Sequence, residues 1–156
     1  MELDQTDIEI IRLLRQNARI QWKEIGEKVF LSGQAVGNRI KRLEDLGIIQ
    51  AYTVQVNEEK MGRSVLAFIT VFMKSTNHSG FESFIHEQEA VLEAYRVSGE
   101  GCYTVKAAVS DPAALNVLLD AILQYGNYKV NLAIGKAVLP RFSPKRKVPL
   151  AISTKS

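Results

Sequence analysis

A single cysteine, Cys102, stands among 156 residues. A lone thiol excludes internal disulfides and any zinc site built from several cysteines. The only two histidines, His78 and His86, lie eight apart with no Cys or acid at ligand spacing, so no metal site is expected. No Ser-His-Asp or Cys-His constellation appears, and no Gly-rich phosphate loop precedes a helix, so neither catalytic residues nor a cofactor are expected. No apolar run reaches the length needed to span a bilayer, and the acidic opening MELDQTD is unlike a signal peptide. These absences point to a cytoplasmic protein with no membrane partner.

Composition is that of an ordinary globular chain, with 46% hydrophobic residues, enough for one core or two small ones. The formal charge of +3 is unevenly spread. Residues 1–62 carry nine Lys/Arg against ten Asp/Glu, residues 63–139 six against seven, and residues 140–156 five against none. A nucleic-acid-binding module that is acidic overall must segregate its charge. Here Glu2, Asp4, Asp7 and Glu9 fall at the start of the first helix, where the helix dipole favours acids, and the bases gather on the third.

The most informative stretch runs from Gln21 to Val56. Glu24, Ile25, Val29 and Leu31 place a short helix, and after a turn of about four residues a second helix follows, as a helix-turn-helix requires. Its apolar residues Val36, Ile40 and Leu43 share one stripe. Ser32 precedes it as N-cap and Gly47 follows as stop. The opposite face carries Gln34, Asn38, Lys41, Arg42 and Asp45. Gln, Asn, Lys and Arg are the side chains that reach base edges and phosphates in a major groove. A solvated helix face would carry similar residues. The acid-free run from Gly33 to Leu43, with Arg39, Lys41 and Arg42, and the helix before it favour DNA recognition. Ser32, Gln34, Gly37, Asn38, Arg39, Lys41 and Arg42 are therefore the candidate DNA-binding residues. Gly37 is read as a gap through which the backbone approaches DNA. An earlier helix from Asp4 to Asn17 packs Ile10, Ile11 and Leu14 inward, with Trp22 and Ile25 closing the small core. The run IIQAYTVQV after Gly47 reads as a wing or edge strand, and NEEKMG (57–62) as a hinge.

At this level of detail the chain resembles the Lrp/AsnC, or feast/famine, family of prokaryotic transcription regulators. The resemblance is carried by Leu3, Asp4, Asp7, Ile10, Ile11, Leu14 and Arg19, then by Glu24, Ile25, Leu31, Ser32, Val36, Arg39, Ile40, Leu43, Glu44, Gly47, Ile48 and Ile49, and ends at Tyr52 and Gly62. It extends in order of elements over nearly the whole chain. It implies double-stranded DNA as partner, a homodimer that assembles further into tetramers or octamers, and an amino acid as effector.

Beyond the hinge, Val65–Met73 is a continuous apolar strand and Ser79 caps a helix with Phe81, Phe84 and Ile85 at helical spacing. Val91–Val97 and Tyr103–Val109 are strands, Asp111-Pro112 starts a second helix that runs to about Gly126, and Tyr128–Leu139 is the last strand. The order βαββαβ is that of the ferredoxin-like fold. The expected architecture is thus α+β, with a winged helix-turn-helix domain (1–56), a linker (57–64), a ferredoxin-like oligomerisation and effector domain (65–140) and a basic tail (141–156). Helices cover one face of such a sheet, yet the first strand does not alternate, with Leu66, Phe68, Thr70 and Phe72 on one face and Val65, Ala67, Ile69, Val71 and Met73 on the other. A second copy of the sheet is the simplest cover for the other face.

The resemblance also implies that the loop Ser98, Gly99, Glu100, Gly101, Cys102, Tyr103 lines an effector pocket. Its glycines expose N–H groups suited to a carboxylate, and Glu100 suits an α-amino group. Relatives tend to carry an acid where this chain has Cys102, which weakens the expectation of amino-acid binding. A tight hairpin needing glycine for positive φ explains the same residues without a ligand. In the tail, Arg141, Lys145, Arg146 and Lys147 suit phosphates or a neighbouring subunit, and Val148–Ile152 suits a short added strand. Two other functions stay open: an architectural DNA-binding protein without effector, and a haem-biosynthesis decarboxylase of similar two-domain layout. The scarcity of histidine and the basic helix weigh against the latter.

Overall fold

The computed structural model describes residues 2–138, and the tail residues named above lie outside them. The chain divides into two compact units, one reaching Val54 and the other spanning Gln55–Ala137.

The first unit consists of α1 (Gln5–Gln16), α2 (Trp22–Val29) and α3 (Gly33–Asp45). A capping box opens α1. The Asp7 N–H donates to Asp4 Oδ1 at 2.7 Å and the Asp4 N–H to Asp7 Oδ2 at 3.2 Å, satisfying two N–H groups at the helix start. The core is Ile10, Leu13, Leu14, Ile25, Val36 and Ile40, with Leu43 buried at the C-terminal end of α3. Leu13 takes the inward place expected of Ile11, which is only half-buried. Trp22 is not a core residue: it is 53% exposed.

The turn between α2 and α3 is tight for two reasons. Phe30 is the one non-glycine residue with positive φ among those described (57°), and the Leu31 N–H donates back to Gly26 O at 2.9 Å. A Cβ on Gly26 would stand 2.3 Å from Leu31 O, so only glycine lets the chain fold back so closely. Ser32 caps α3 by accepting the Ala35 N–H at 3.1 Å. At the other end Gly47 (φ 67°) breaks the helix, and the Ile48 N–H donates to Leu43 O at 2.9 Å.

The expected wing is not formed. Residues 48–56 include no strand, because an extended segment needs a partner for its N–H and C=O groups and the described residues of this unit offer none.

The second unit is built from β1 (Val65–Met73), α4 (His78–Glu87), β2 (Val91–Arg96), β3 (Tyr103–Val109), α5 (Pro112–Leu123) and β4 (Gly126–Leu132). The sheet order is β2-β3-β1-β4 with every neighbouring pair antiparallel. Asn77, not Ser79, caps α4, since its Oδ1 accepts the Gly80 N–H at 3.1 Å and Ser79 lies inside the first turn. Asp111 caps α5 through the Ala114 N–H at 2.8 Å, with Pro112 opening the helix. The last strand begins at Gly126 and stops at Leu132 rather than reaching Leu139. Its partner decides this: Leu132 pairs with Ala67, the Ala133 N–H reaches Leu66 O, and β1 begins at Val65.

Ala67, Ile69 and Val71 of β1 and Tyr103, Val105, Ala107 and Val109 of β3 face the helices. They pack on Phe81 and Ile85 of α4 and on Leu115, Leu118, Leu119 and Ile122 of α5. Strand alternation therefore puts Leu66, Phe68, Thr70 and Phe72 on the opposite face, where no element of this unit covers them.

Candidate functional site

The recognition surface begins with how α3 is held. Asp7 is fully buried, and its carboxylate receives Arg39 Nη1 at 2.8 Å and Arg42 Nη2 at 2.5 Å. Arg39 Nη1 also reaches Asp4 Oδ2 at 2.6 Å. Two acids at the start of α1, the N-cap Asp4 and Asp7 of the first turn, thus pair with two arginines of α3. The Asp7 N–H and the Arg39 guanidinium hold the Asp4 carboxyl below its ordinary range, and both acids raise Arg39. Arg39 and Arg42, expected to grip phosphates, here form the clamp that docks the third helix on the first, with their side chains 31% and 46% exposed. The acids expected to serve the helix dipole are the other half of that clamp.

Gly37 is buried, and a Cβ there would come within 2.5 Å of the Trp22 ring at Cζ3. Its missing side chain makes room for the indole. Gly33, one turn earlier, lies under the first turn of α2, where a Cβ would meet the Lys23 backbone N at 3.3 Å. The two glycines let the start of α2 settle against the start of α3. Ser32, Gln34, Asn38, Lys41 and Arg42 are exposed along α3 and its N-cap, with Ser32 spending its oxygen on the cap and Arg42 paired with Asp7. Beside them sit Trp22 and Lys23, exposed at the N-terminus of α2, which has no side-chain cap. Sequence reasoning missed this pair, although glycines spaced four apart in a helix were a signal of close approach. At the far end of α3 the Tyr52 hydroxyl donates to Glu44 Oε1 at 2.6 Å. Burial and that carboxylate push Tyr52 up to about 12.

In the second unit the hairpin joining β2 and β3 carries the other candidate residues. Gly99 (φ 105°) and Gly101 (φ 83°) occupy the left-handed region. Gly101 also approaches β1, where a Cβ would stand 2.5 Å from Thr70 Cγ2. The Cys102 N–H donates to Val71 O at 2.7 Å, tying the hairpin to the central strand, and the thiol side chain packs on the core. Glu100 is exposed on the hairpin. It pairs with Lys129, which holds its carboxyl below the ordinary range and lies 5.6 Å from the Phe72 ring centroid. Tyr103 leaves the hairpin altogether. It is buried against Phe81 (ring centroids 4.7 Å apart), and its hydroxyl donates to Glu82 Oε1 at 2.7 Å and lies 2.9 Å from His78 Nδ1. Of the six loop residues only Ser98, Gly99 and Glu100 are openly exposed.

No group of three or more His, Cys, Asp or Glu is placed to hold a metal ion among the described residues, and no helix among them is long and apolar enough to cross a membrane. The family model for the AsnC-type helix-turn-helix domain matches residues 3–44, and that for the Lrp/AsnC ligand binding domain matches residues 66–138. The chain belongs to the Lrp/AsnC family. Its similarity to the HTH-type transcriptional regulator LrpB of Bacillus subtilis is 51% identity over 134 residues, 86% of this chain and 90% of that one. LrpA of the same organism is 35% identical over 135 residues, covering 86% and 99%. Among solved structures, B. subtilis LrpC superposes with a TM-score of 0.84 at 29% identity, over 87% of this chain and 97% of that one. A transcriptional regulator from Neisseria meningitidis in complex with L-Met also superposes at 0.84, with 28% identity over 92% and 97%. This Lrp/AsnC protein is a helix-turn-helix transcriptional regulator, with the ferredoxin-like unit as its ligand-binding module.

Proposed function

We propose that this regulator binds double-stranded DNA as a dimer, reading bases with Gln34 and Asn38 and gripping phosphates chiefly with Lys41 and Lys23. The observation that carries the reading is the exposed row Gln34, Asn38, Lys41 on a helix whose two arginines are paired with Asp7. Amide side chains can pair bidentately with adenine, so the preferred sites contain A·T pairs at the contacted positions. Two recognition helices on a two-fold dimer would meet two half-sites. The dimer is assigned to the helix-distant face of the sheet around Phe68, and the protein to the cytoplasm and nucleoid. The chain is divided functionally at the 57–64 segment, with DNA binding before it and assembly and effector response after it. The sequence-selected duplex is the test: Asn38→Ala weakens binding to sites enriched from a random library by about 1–3 kcal/mol and to unselected DNA by less. Equal loss on both removes Asn38 as a sequence reader and leaves an architectural protein.

The effector response of the hairpin is assigned as weak. The relative from N. meningitidis binds L-Met. In this chain the loop acid Glu100 is occupied by Lys129, and Cys102 supplies no carboxylate. Both features oppose binding of a free ammonium group at the loop. No catalytic role is assigned; a preparation that shifts DNA and lacks Soret absorbance separates this reading from the tetrapyrrole enzymes of similar layout.

A further inference from the structure

The sheet of the second unit has two edge strands, and β2 is the one that borders a cleft. Which of its backbone groups are free follows from the ladders. The Ala133 N–H donates to Leu66 O, so the groups of Leu66, Phe68, Thr70 and Phe72 point to β4 and those of Ile69 and Val71 to β3. Strand β3 in turn spends Tyr103 and Val105 on β1, and Thr104 and Lys106 on β2. Thr104 pairs with Tyr95 and Lys106 with Glu93, so the N–H and C=O groups of Ala94 and Arg96 point out of the sheet. Among the described residues β2 has no second neighbour, and a register shift between Val91 and Glu93 limits the regular open stretch to 93–96. A bare edge of this kind takes up a further extended chain.

The side chains beside those free groups share one face. Ala94 and Arg96 stand opposite Val105 and Tyr103, which pack beneath the helices. They border a cleft of about 390 Å³ between β2 and α4, lined also by Phe81, Ile85 and Val91. A strand added here would lay every second side chain on apolar ground. One segment of this chain has the matching pattern: Val148, Leu150 and Ile152 alternate with Pro149 and Ala151, outside the described residues. In an antiparallel pair, the residues opposite Ala94 and Arg96 have their side chains on that same face and their backbone groups turned to β2. Val148, Leu150 and Ile152 would thus carry both the bonds to β2 and the contacts with α4. Pro149, with no N–H to give, would fall on the outer side, where proline closes an edge to further pairing. Reach permits it. The 15 residues between Leu132, the end of β4, and Val148 can extend to about 50 Å, against about 14 Å for the three strand spacings from β4 to β2. We propose that segment 148–152 of this chain adds to β2 as an antiparallel fifth strand, seating Val148, Leu150 and Ile152 over the cleft. The assignment does not depend on the DNA-binding reading, and its test uses neither DNA nor ligand.

Residue-resolved amide hydrogen exchange of the full chain is the test. Tyr95 serves as internal reference, because its N–H belongs to the β2–β3 ladder. In the parent, the Ala94 and Arg96 amides are protected about a hundredfold or more over an unstructured amide. Leu150→Asp, which sets a charge over the cleft, speeds exchange at both by about tenfold or more and leaves Tyr95 unchanged. Ala151→Asp, on the opposite face, leaves all three as in the parent. Unprotected Ala94 and Arg96 amides in the parent overturn the assignment. Protection that survives Leu150→Asp also overturns it, because some other chain then covers the edge. Equal deprotection by Ala151→Asp and Leu150→Asp overturns the strand parity, and with it the seat over the cleft.

Discussion

Asp7 is the residue on which the first domain turns. A carboxylate with no exposure survives there because two guanidiniums and the Asp4 N–H saturate it. Its arginines are already paired with carboxylates, which separates them from Lys41. Measured as log K against log salt, the DNA-binding slope should drop by about 1 for Lys41→Gln and stay unchanged for Arg39→Gln. An equal drop in Arg39→Gln would mean that the clamp opens on DNA. Two tyrosines supply a second check at this scale. Tyr52 and Tyr103 are each raised to about 12, first by burial and then by Glu44 and Glu82 respectively. A tyrosine whose folded value lies above its unfolded value, near 10, adds stability below about pH 10 that is lost as pH climbs towards 12. Absorbance titration at 295 nm should show a late phase that shrinks in Tyr103→Phe and again in the double variant with Tyr52→Phe. A single transition near pH 10 for all five tyrosines would show that neither hydroxyl is held by its carboxylate.

Between elements, close approach is set by glycine. Gly26 and Gly37 both sit in helices and both lack space for a Cβ, yet what they face differs. Gly26 faces the Leu31 carbonyl, which belongs to the backbone of the turn itself. Gly37 faces the indole of Trp22, a half-exposed side chain that can swing outward. An Ala at either place gains about 1 kcal/mol of helix propensity. Gly26→Ala should nevertheless lower stability by about 2–4 kcal/mol, because the turn must open. Gly37→Ala should lie within about 1 kcal/mol of the parent and shift the emission of the sole tryptophan as the indole is displaced. Denaturant unfolding of the two variants checks the order, and similar costs would mean that Trp22 is as immovable as backbone. The capping residues at this scale were legible in the sequence: Ser32, Asp111 and Pro112 all occupy the places their chemistry favours. Ser79 was not, because Asn77 two residues earlier offers a side-chain acceptor at the right reach.

Within its own unit, the sheet has one face that no helix covers. Phe68 remains 38% exposed there, flanked across the ladders by Lys106 and Asn131, whereas Ile69 is fully buried beneath the helices. Phe68→Glu should give a folded monomer in sedimentation, and Ile69→Glu should unfold the unit by burying a charge. A Phe68→Glu protein that still sediments as a dimer would place the interface elsewhere. The hairpin gives a second prediction. Cys102→Asp should create or strengthen an amino-acid-dependent rise in Tm at the loop by supplying the missing carboxylate, with a gain following RT ln(1 + [L]/Kd). A millimolar response in the parent that Gly101→Val abolishes would instead make the loop an ordinary amino-acid sensor.

Element type and order were determined by the sequence alone, because helical and strand periodicity, caps and turn residues act within a few positions of one another. The helix-turn-helix, the βαββαβ order and the exposure of Gln34, Asn38 and Lys41 follow from that local information. Partnership does not. Whether Arg39 meets a phosphate or Asp7, 32 residues away, depends on how α1 lies on α3. Likewise Gly37 could serve DNA or an indole until α2 was placed, and Tyr103 could line a loop or a cleft until β3 was packed beneath α4. The strand expected over 48–56 failed for the same reason, since extended backbone becomes a strand only where another edge completes its hydrogen bonds. Side-chain chemistry names what a residue can bind; the tertiary structure decides which of its possible partners is within reach.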